Sequence, residues 1–206
     1  MPGPDKRREL APDEISERHF TRLLKSVVVP RPIAWVSTTS AGGVDNLAPH
    51  SFFTVASQVP PVVQFTSIGR KDSLRNAIDT GEFVVNLADL GNLEAINASG
   101  TAYPPDEDEF EALGIAREES AVVSAPRVAG SPVAIECRTK GTVEFEESVV
   151  IFGQVVHLAI SESVMDGDHP EITKLAPMAR LGKNEWSEIG TIHRIDRIDL
   201  KEARRP

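Results

Sequence analysis

The sequence predicts a mainly β protein with short helices, a β-barrel into which helical segments are inserted. Three observations lead there. Two long apolar segments, 132–144 and 148–160, follow one another with only the acidic turn Glu146-Glu147 between them. Shorter runs rich in Val, Ile and Phe recur between Gly and Pro residues. The helical patches are short, and none separates the two long strands, which argues against a βαβ repeat.

In chain order, residues 1–12 read as a flexible arm, with Pro2, Pro4 and Pro12 and the basic run Lys6-Arg7-Arg8. Asp13 to Ser26 reads as a helix, because Ile15, His19, Leu23 and Val27 recur every four residues. Pro30 and Pro32 end it. Ile33 to Thr39 is then a strand and Ala41-Gly42-Gly43 a turn. Pro61 to Ser67 is a second strand. Asp72 to Asp79 is a short helix with Asp72 as its N-cap and Gly81 past its end. Glu82 to Leu87 is a strand, Asn92 to Ser99 and Glu107 to Leu113 are helices, and Gly114 closes the second of them. After the two long strands, Ile192 to Ile198 reads as one more. No repeat and no long linker divides the chain, so 13–200 is one domain, followed by a flexible tail at 201–206.

Composition excludes several function classes. Twenty-two Lys and Arg stand against 31 Asp and Glu, a formal charge of −9. Such a surface repels nucleic acid and anionic lipid. No run reaches the ~18 apolar residues of a membrane span. The N-terminus lacks the apolar core of a secretory signal, and the single cysteine, Cys137, forms no internal disulfide. A cytoplasmic protein is expected.

Residues 30–73 are the most informative. Hydroxyls at Ser37, Thr38, Thr39, Ser51, Ser67 and Ser73 stand at strand ends beside glycine and proline. Ser67, Gly69, Lys71 and Ser73 fall where a strand turns into a helix start, which exposes free backbone N–H groups. Those groups, with a cation and hydroxyls, suit a phosphomonoester carrying about −1.5 to −2 charges at pH 7. A solvated turn before a capped helix fits the same residues, because the spacing is neither a Walker nor a Rossmann pattern.

The order of motifs adds a resemblance. Pro30 to Thr38 (PRPIAWVST), Asn46-x-Ala48-Pro49-x-Ser51-Phe52-Phe53, Pro60-Pro61, Lys71-Asp72-Ser73 and Thr80 to Asn86 occur in sequence. Asp108 to Glu111, Pro126-Arg127-Val128, Glu136-Cys137, Gly153 to His157 and Ala179 to Gly182 follow. From about residue 20 to about 195 the chain resembles the flavin reductase-like, FMN-binding split-barrel family, close to its flavoredoxin-type members. The resemblance implies a six-stranded Greek-key split barrel, a homodimer, and FMN near the dimer interface. It implies that Arg31, Ala34, Trp35, Val36, Ser37 and Thr38, with Asn46, His50 and Ser51, line the flavin ring and ribityl chain. Ser67, Lys71, Asp72 and Ser73 would surround the phosphate. Arg180 and Trp186 would close the site, Trp186 standing where relatives often carry Tyr. NADH or NADPH would be the donor, and a flavin, a metal complex or another molecule the acceptor. A non-catalytic FMN-binding carrier serving a protein partner, and an oxidase of the pyridoxamine phosphate type, are the rival readings. No cluster of basic residues for a second phosphorylated ligand is visible near the matched motifs, which counts against the oxidase.

Other residues have plainer readings. His157 lies on the face of an apolar strand with Ile151 and Val155, and Cys137 alternates inward as an inert thiol. Asp166, Asp168, His169 and Glu171 match no metal spacing and read as a solvated loop. Glu107 to Glu111 reads as a helix with Phe110 and Leu113 on its packed side. Trp35 and His50 each suit either a flavin contact or the packed interior.

Overall fold

The computed structural model describes residues 6–198. The start of the expected arm, at 1–5, and the end of the chain, including the expected tail at 201–206, lie outside the described residues.

The main sheet has seven strands. They are β1 (Ala34–Thr39), β2 (Asp45–His50), β3 (Phe53–Ser57), β4 (Val62–Ile68), β5 (Glu82–Leu87), β6 (Val133–Phe145) and β7 (Ser148–Ile160). Their spatial order is β2-β1-β5-β6-β7-β4-β3, with every neighbour antiparallel. Among the described residues five α-helices accompany them: α1 (Glu17–Val27), α2 (Asp72–Asp79), α3 (Leu93–Ala98), α4 (Glu109–Leu113) and α5 (Ile172–Leu175). A small three-stranded sheet joins Arg31–Pro32, Ala179–Arg180 and Trp186–Ser187.

The outermost strands, β2 and β3, are consecutive in sequence and joined by Ser51 and Phe52 alone. In a flat sheet of seven strands they would stand roughly 30 Å apart, at about 4.8 Å per step. The three steps from His50 to Phe53 span at most about 11 Å, so the sheet must curl until those two strand ends come close. No strand ladder runs between β2 and β4; the seam is bridged by side chains, His50 Nδ1 to the Thr66 carbonyl (3.3 Å) among them. That is a split barrel. The sheet has seven strands where the resemblance implies six; two of them, 45–50 and 53–57, do not read as strands in the sequence, because Pro49 and the small polar residues mask them. Pro49 is tolerated because β2 is an edge. The strand expected at Ile192–Ile198 is absent, and those residues are exposed without regular structure.

Alternation along β1 sets the two cores. Ala34 and Val36 face the barrel interior with Val63, Phe65, Phe83, Val85, Cys137, Val149 and Ile151, and Leu74 and Ala77 of α2 plug it. Trp35 faces outward into a second cluster with Ile33, Leu47, Ile96, Phe110 and Val128. Both faces of β1 are therefore covered. Cys137 is fully buried, and burial pushes its thiol up to about 12, aided by the neighbouring Glu136 carboxylate. It is an inert core residue, as expected.

The helix starts differ from expectation: α1 begins at Glu17 instead of Asp13 and α4 at Glu109 instead of Glu107. Lys71, extended at ψ 169°, is the N-cap of α2; Asp72 is the first helical residue and pairs with Arg75 instead of capping. Gly114 closes α4 in the left-handed conformation at φ 65°, as expected. Gly153, at a bulge in β7, is fixed by space. A Cβ there would lie 2.2 Å from the Phe83 ring and 2.9 Å from Cys137 Cβ. Gly153→Ala should lower stability by about 1–3 kcal/mol through overpacking, read as a fall in the urea midpoint; an unchanged midpoint would show that Phe83 yields freely. Among the described residues no helix is long and apolar enough to cross a membrane.

Candidate functional site

A cleft of about 1250 Å³ lies between α1, the end of β2, the 68–73 bend and the 99–105 segment. This exceeds the roughly 300–1,000 Å³ of a usual small-molecule site. Nine arginines and lysines line it against two carboxylates, Asp72 and Glu109. Within a chain of net charge −9, that concentration of cations marks a place for anions.

The bend is built by Gly69, which sits at φ +79°. Its N–H donates to the Glu147 carbonyl (2.7 Å) and its carbonyl accepts from Lys71 N–H (3.0 Å). The turn delivers the start of α2 to the cleft wall. No side chain caps that helix, so its first N–H groups are free to meet an anion. Lys71 is exposed beside them and makes no ion pair among the described residues.

Below the helix start lies a buried polar chain. Asn46 Nδ2 donates to both oxygens of Glu109 (2.8 and 3.0 Å), and Leu47 N–H donates to Glu109 as well (2.8 Å). These bonds fix the Asn46 amide, so its Oδ1 faces the Ser73 hydroxyl at 3.0 Å and the Thr38 hydroxyl at 3.4 Å. His50 Nε2 lies 3.1 Å from Ser73 Oγ, and His50 Nδ1 lies 3.3 Å from the Thr66 carbonyl. A carbonyl only accepts, so the neutral ring carries its proton on Nδ1 and offers Nε2 as an acceptor. The single Ser73 proton is then shared between Nε2 and Asn46 Oδ1. Burial raises the pKa of the Glu109 carboxyl, opposed by the Leu47 and Asn46 bonds.

His50 is 8% exposed and packs on Phe65 with ring centroids 4.8 Å apart. Burial pushes its pKa down to about 4; the Thr66 carbonyl opposes this and the Lys71 ammonium adds to it. The unfolded chain therefore binds a proton that the folded one refuses between about pH 6.5 and 4, and stability falls as pH drops through that window. The slope from this one site is at most about 1.4 kcal/mol per pH unit. His50→Gln should flatten the acid limb of a stability-against-pH curve by that amount; an unchanged limb would mean that His50 protonates without penalty.

Eight of the fourteen residues singled out from sequence meet at the cleft: Arg31, Asn46, His50, Ser51, Lys71, Asp72, Ser73 and Arg180. Arg31 is committed to structure as well. Its guanidinium donates to the Lys25, Val28 and Leu181 carbonyls (2.5, 2.9 and 2.7 Å), which fastens the end of α1 to the body. Arg180 lies 4.7 Å over the Trp186 ring and donates to the Lys183 carbonyl. Trp186 itself packs on the outer core.

The other six side chains turn away. Ala34 and Val36 fill the barrel, and Trp35 fills the outer core with its Nε1 donating to Ser99 Oγ at 2.9 Å. Ser37 donates to the Pro126 carbonyl, and Thr38 joins the buried chain behind Asn46. Ser67 is fully buried and donates to Gly69 O at 2.9 Å. The physical reason is common to all: β1 is covered on both faces, and β4 alternates Ser67 inward while Thr66 and Ile68 face the cleft.

Sequence reasoning missed Glu109, Thr66, Arg70, Arg75 and the basic face of α1. The α1 face had a readable signal, since Arg18, Arg22 and Lys25 share helical spacing. Glu109 stood in the matched Asp108–Glu111 segment, but only the approach of α4 to β2 gives it a partner.

Residues 26–173 match the family profile described as Flavin reductase like domain. The uncharacterized protein BH2278 of Halalkalibacterium halodurans is 35% identical over 208 residues, covering 95% of this chain and 99% of that protein. Nitrilotriacetate monooxygenase component B from Bacillus cereus superposes with a TM-score of 0.88 at 29% identity, over 93% of this chain and 100% of the other. The 2-nitrobenzoate 2-nitroreductase of Pseudomonas fluorescens does so with a TM-score of 0.87 at 26% identity, over 94% and 98%. With a profile match across most of its length and a split barrel built around a cationic cleft, the chain belongs to the flavin reductase-like domain family.

Proposed function

We propose that this protein is an oxidoreductase that holds FMN in the cleft, takes electrons from NADH or NADPH and passes them to a flavin, a metal complex or another small acceptor. The observation that carries the reading is the uncapped start of α2, with Lys71 beside it and Ser73 beneath, opening on a cationic cleft in an acidic chain. That arrangement fits a phosphomonoester dianion. The family match supports a flavin, and the likeness to a monooxygenase component and a nitroreductase supports redox chemistry.

FMN, when bound, supplies the hydride-accepting ring system. The residues of this chain hold and orient it. Lys71 and the α2 N–H groups take the anionic tail. The β2 segment Asn46 to Ser51 offers a wall that Glu109 holds rigid, by accepting from Asn46 Nδ2 and Leu47 N–H, before any ligand arrives. His50 contributes as a neutral ring, because its burial keeps it uncharged near pH 7. No side chain has to move a proton for hydride transfer.

We take the working unit to be a homodimer. Leu24, Val27 and Val28 of the α1 region are 52%, 74% and 56% exposed, an apolar stripe that a second copy would cover. Sedimentation at micromolar concentration tests this, and a monomer there counts against it.

The visible spectrum of the purified protein, before and after FMN addition, tests the cofactor. Bleaching by NADH or NADPH then tests the enzyme. Bound flavin that neither nucleotide reduces, but a protein donor does, would make the chain a carrier. Lys71→Ala should weaken FMN binding about ten-fold or more, at roughly 1.5–3 kcal/mol for a charged hydrogen bond. Ser73→Ala should weaken it too. Unchanged affinity in both, by fluorescence quenching titration, removes the phosphate from the bend.

A further inference from the structure

The cleft has a second cationic wall, on a different element from the Lys71–Ser73 bend. Arg18, Arg22 and Lys25 stand at i, i+4 and i+7 of α1, so they form one face, and all three line the cleft. None makes an ion pair or a side-chain hydrogen bond among the described residues. Like charges at this spacing repel, and Glu17 is the only acidic residue in the helix. The arrangement therefore works against the helix that carries it. It faces the same space as the 70–75 bend but belongs to a different element. Arg31 ties the C-terminal end of α1 to the barrel through the Lys25 and Val28 carbonyls, so the wall is held in place. The cleft volume of about 1250 Å³ leaves room for a second ligand beside one the size of a mononucleotide.

We infer that the Arg18–Arg22–Lys25 face is a second anion station, separate from the Lys71–Ser73 bend, that receives the phosphate-bearing adenosine end of the electron donor and favours the dinucleotide with an additional 2′-phosphate. This rests on the reading that a nicotinamide dinucleotide is the donor. Two guanidinium groups one turn apart offer planar, paired donors to a phosphomonoester. A 2′-phosphate brings a further charge of about −1.5 to −2, which NADH lacks.

The test uses the full chain and two probes, adenosine 2′,5′-bisphosphate and adenosine 5′-monophosphate, titrated by calorimetry with and without saturating FMN. The bisphosphate should bind at least ten-fold tighter than the monophosphate, and FMN should not displace it. R18Q/R22Q should erase that preference while FMN affinity stays within two-fold. Glutamine keeps the helix propensity of these exposed sites, and circular dichroism checks that the fold is kept. Equal binding of the two probes, a preference that survives R18Q/R22Q, or displacement by FMN would each overturn the inference. The two readings fail separately. Bound FMN without a bisphosphate preference leaves the flavin site standing and ends the second station. A preference without any FMN uptake does the reverse.

Discussion

Glu136→Ala should destabilise the fold by about 3–5 kcal/mol, the range for breaking a buried ion pair from one side. Glu136 is fully buried on β6. Its carboxylate accepts the N–H groups of Ala121 and Val122 (2.8 and 2.7 Å), the Nε of Arg127 (2.9 Å), and a further close bond from the same guanidinium. Alanine leaves a mostly buried Arg127 with only its longer pair to the exposed Glu118 (3.5 Å) and strands two amides of the 120–125 loop. Many domains have only 5–15 kcal/mol in total, so the variant should unfold at much lower urea. Glu136→Gln keeps acceptance but not charge, and should fall between. A Glu136→Ala midpoint within about 1 kcal/mol of the parent would show that water replaces the carboxylate.

Trp35→Ala should have an effect of similar size, about 3–5 kcal/mol, for a large core aromatic. The ring is fully buried among Ile33, Leu47, Ile96 and Phe110, and its Nε1–H holds Ser99. Trp35→Phe is the informative companion. It keeps most of the volume, and Ser99 still donates to the Ile96 carbonyl, so the loss should be smaller. Because the ring faces away from the cleft, flavin affinity of the folded Trp35→Phe protein should match the parent. A drop of ten-fold or more in that affinity, with the fold intact, would restore Trp35 to the flavin site.

What was legible in the sequence follows from period and punctuation. Glu82–Leu87 and Ser148–Ile160 were readable to the residue, because Gly and acidic turns bound them. The barrel itself was readable because the two long strands lack a helix between them. The edge strands were not, since Pro49 and polar residues blur a period-two pattern that only the curled sheet reveals. The same limit holds at the site. Lys71 and Ser73 announce themselves by chain proximity to a helix start. Thr38 and Ser67 look equally available in one dimension, yet alternation turns both inward. Glu109 reads as one acid among several on a surface helix, and only the fold lays it against Asn46.

The seam between the barrel's two edges has a consequence for endurance. Two residues that would touch a ligand, His50 from one side and Thr66 from the other, are also the ones that bridge that seam. A sheet comes apart most readily where no ladder holds it. Whatever occupies the cleft therefore acts as a clasp, and the loaded protein should resist unzipping, heat and protease better than the empty one by an amount set by how much ligand is supplied.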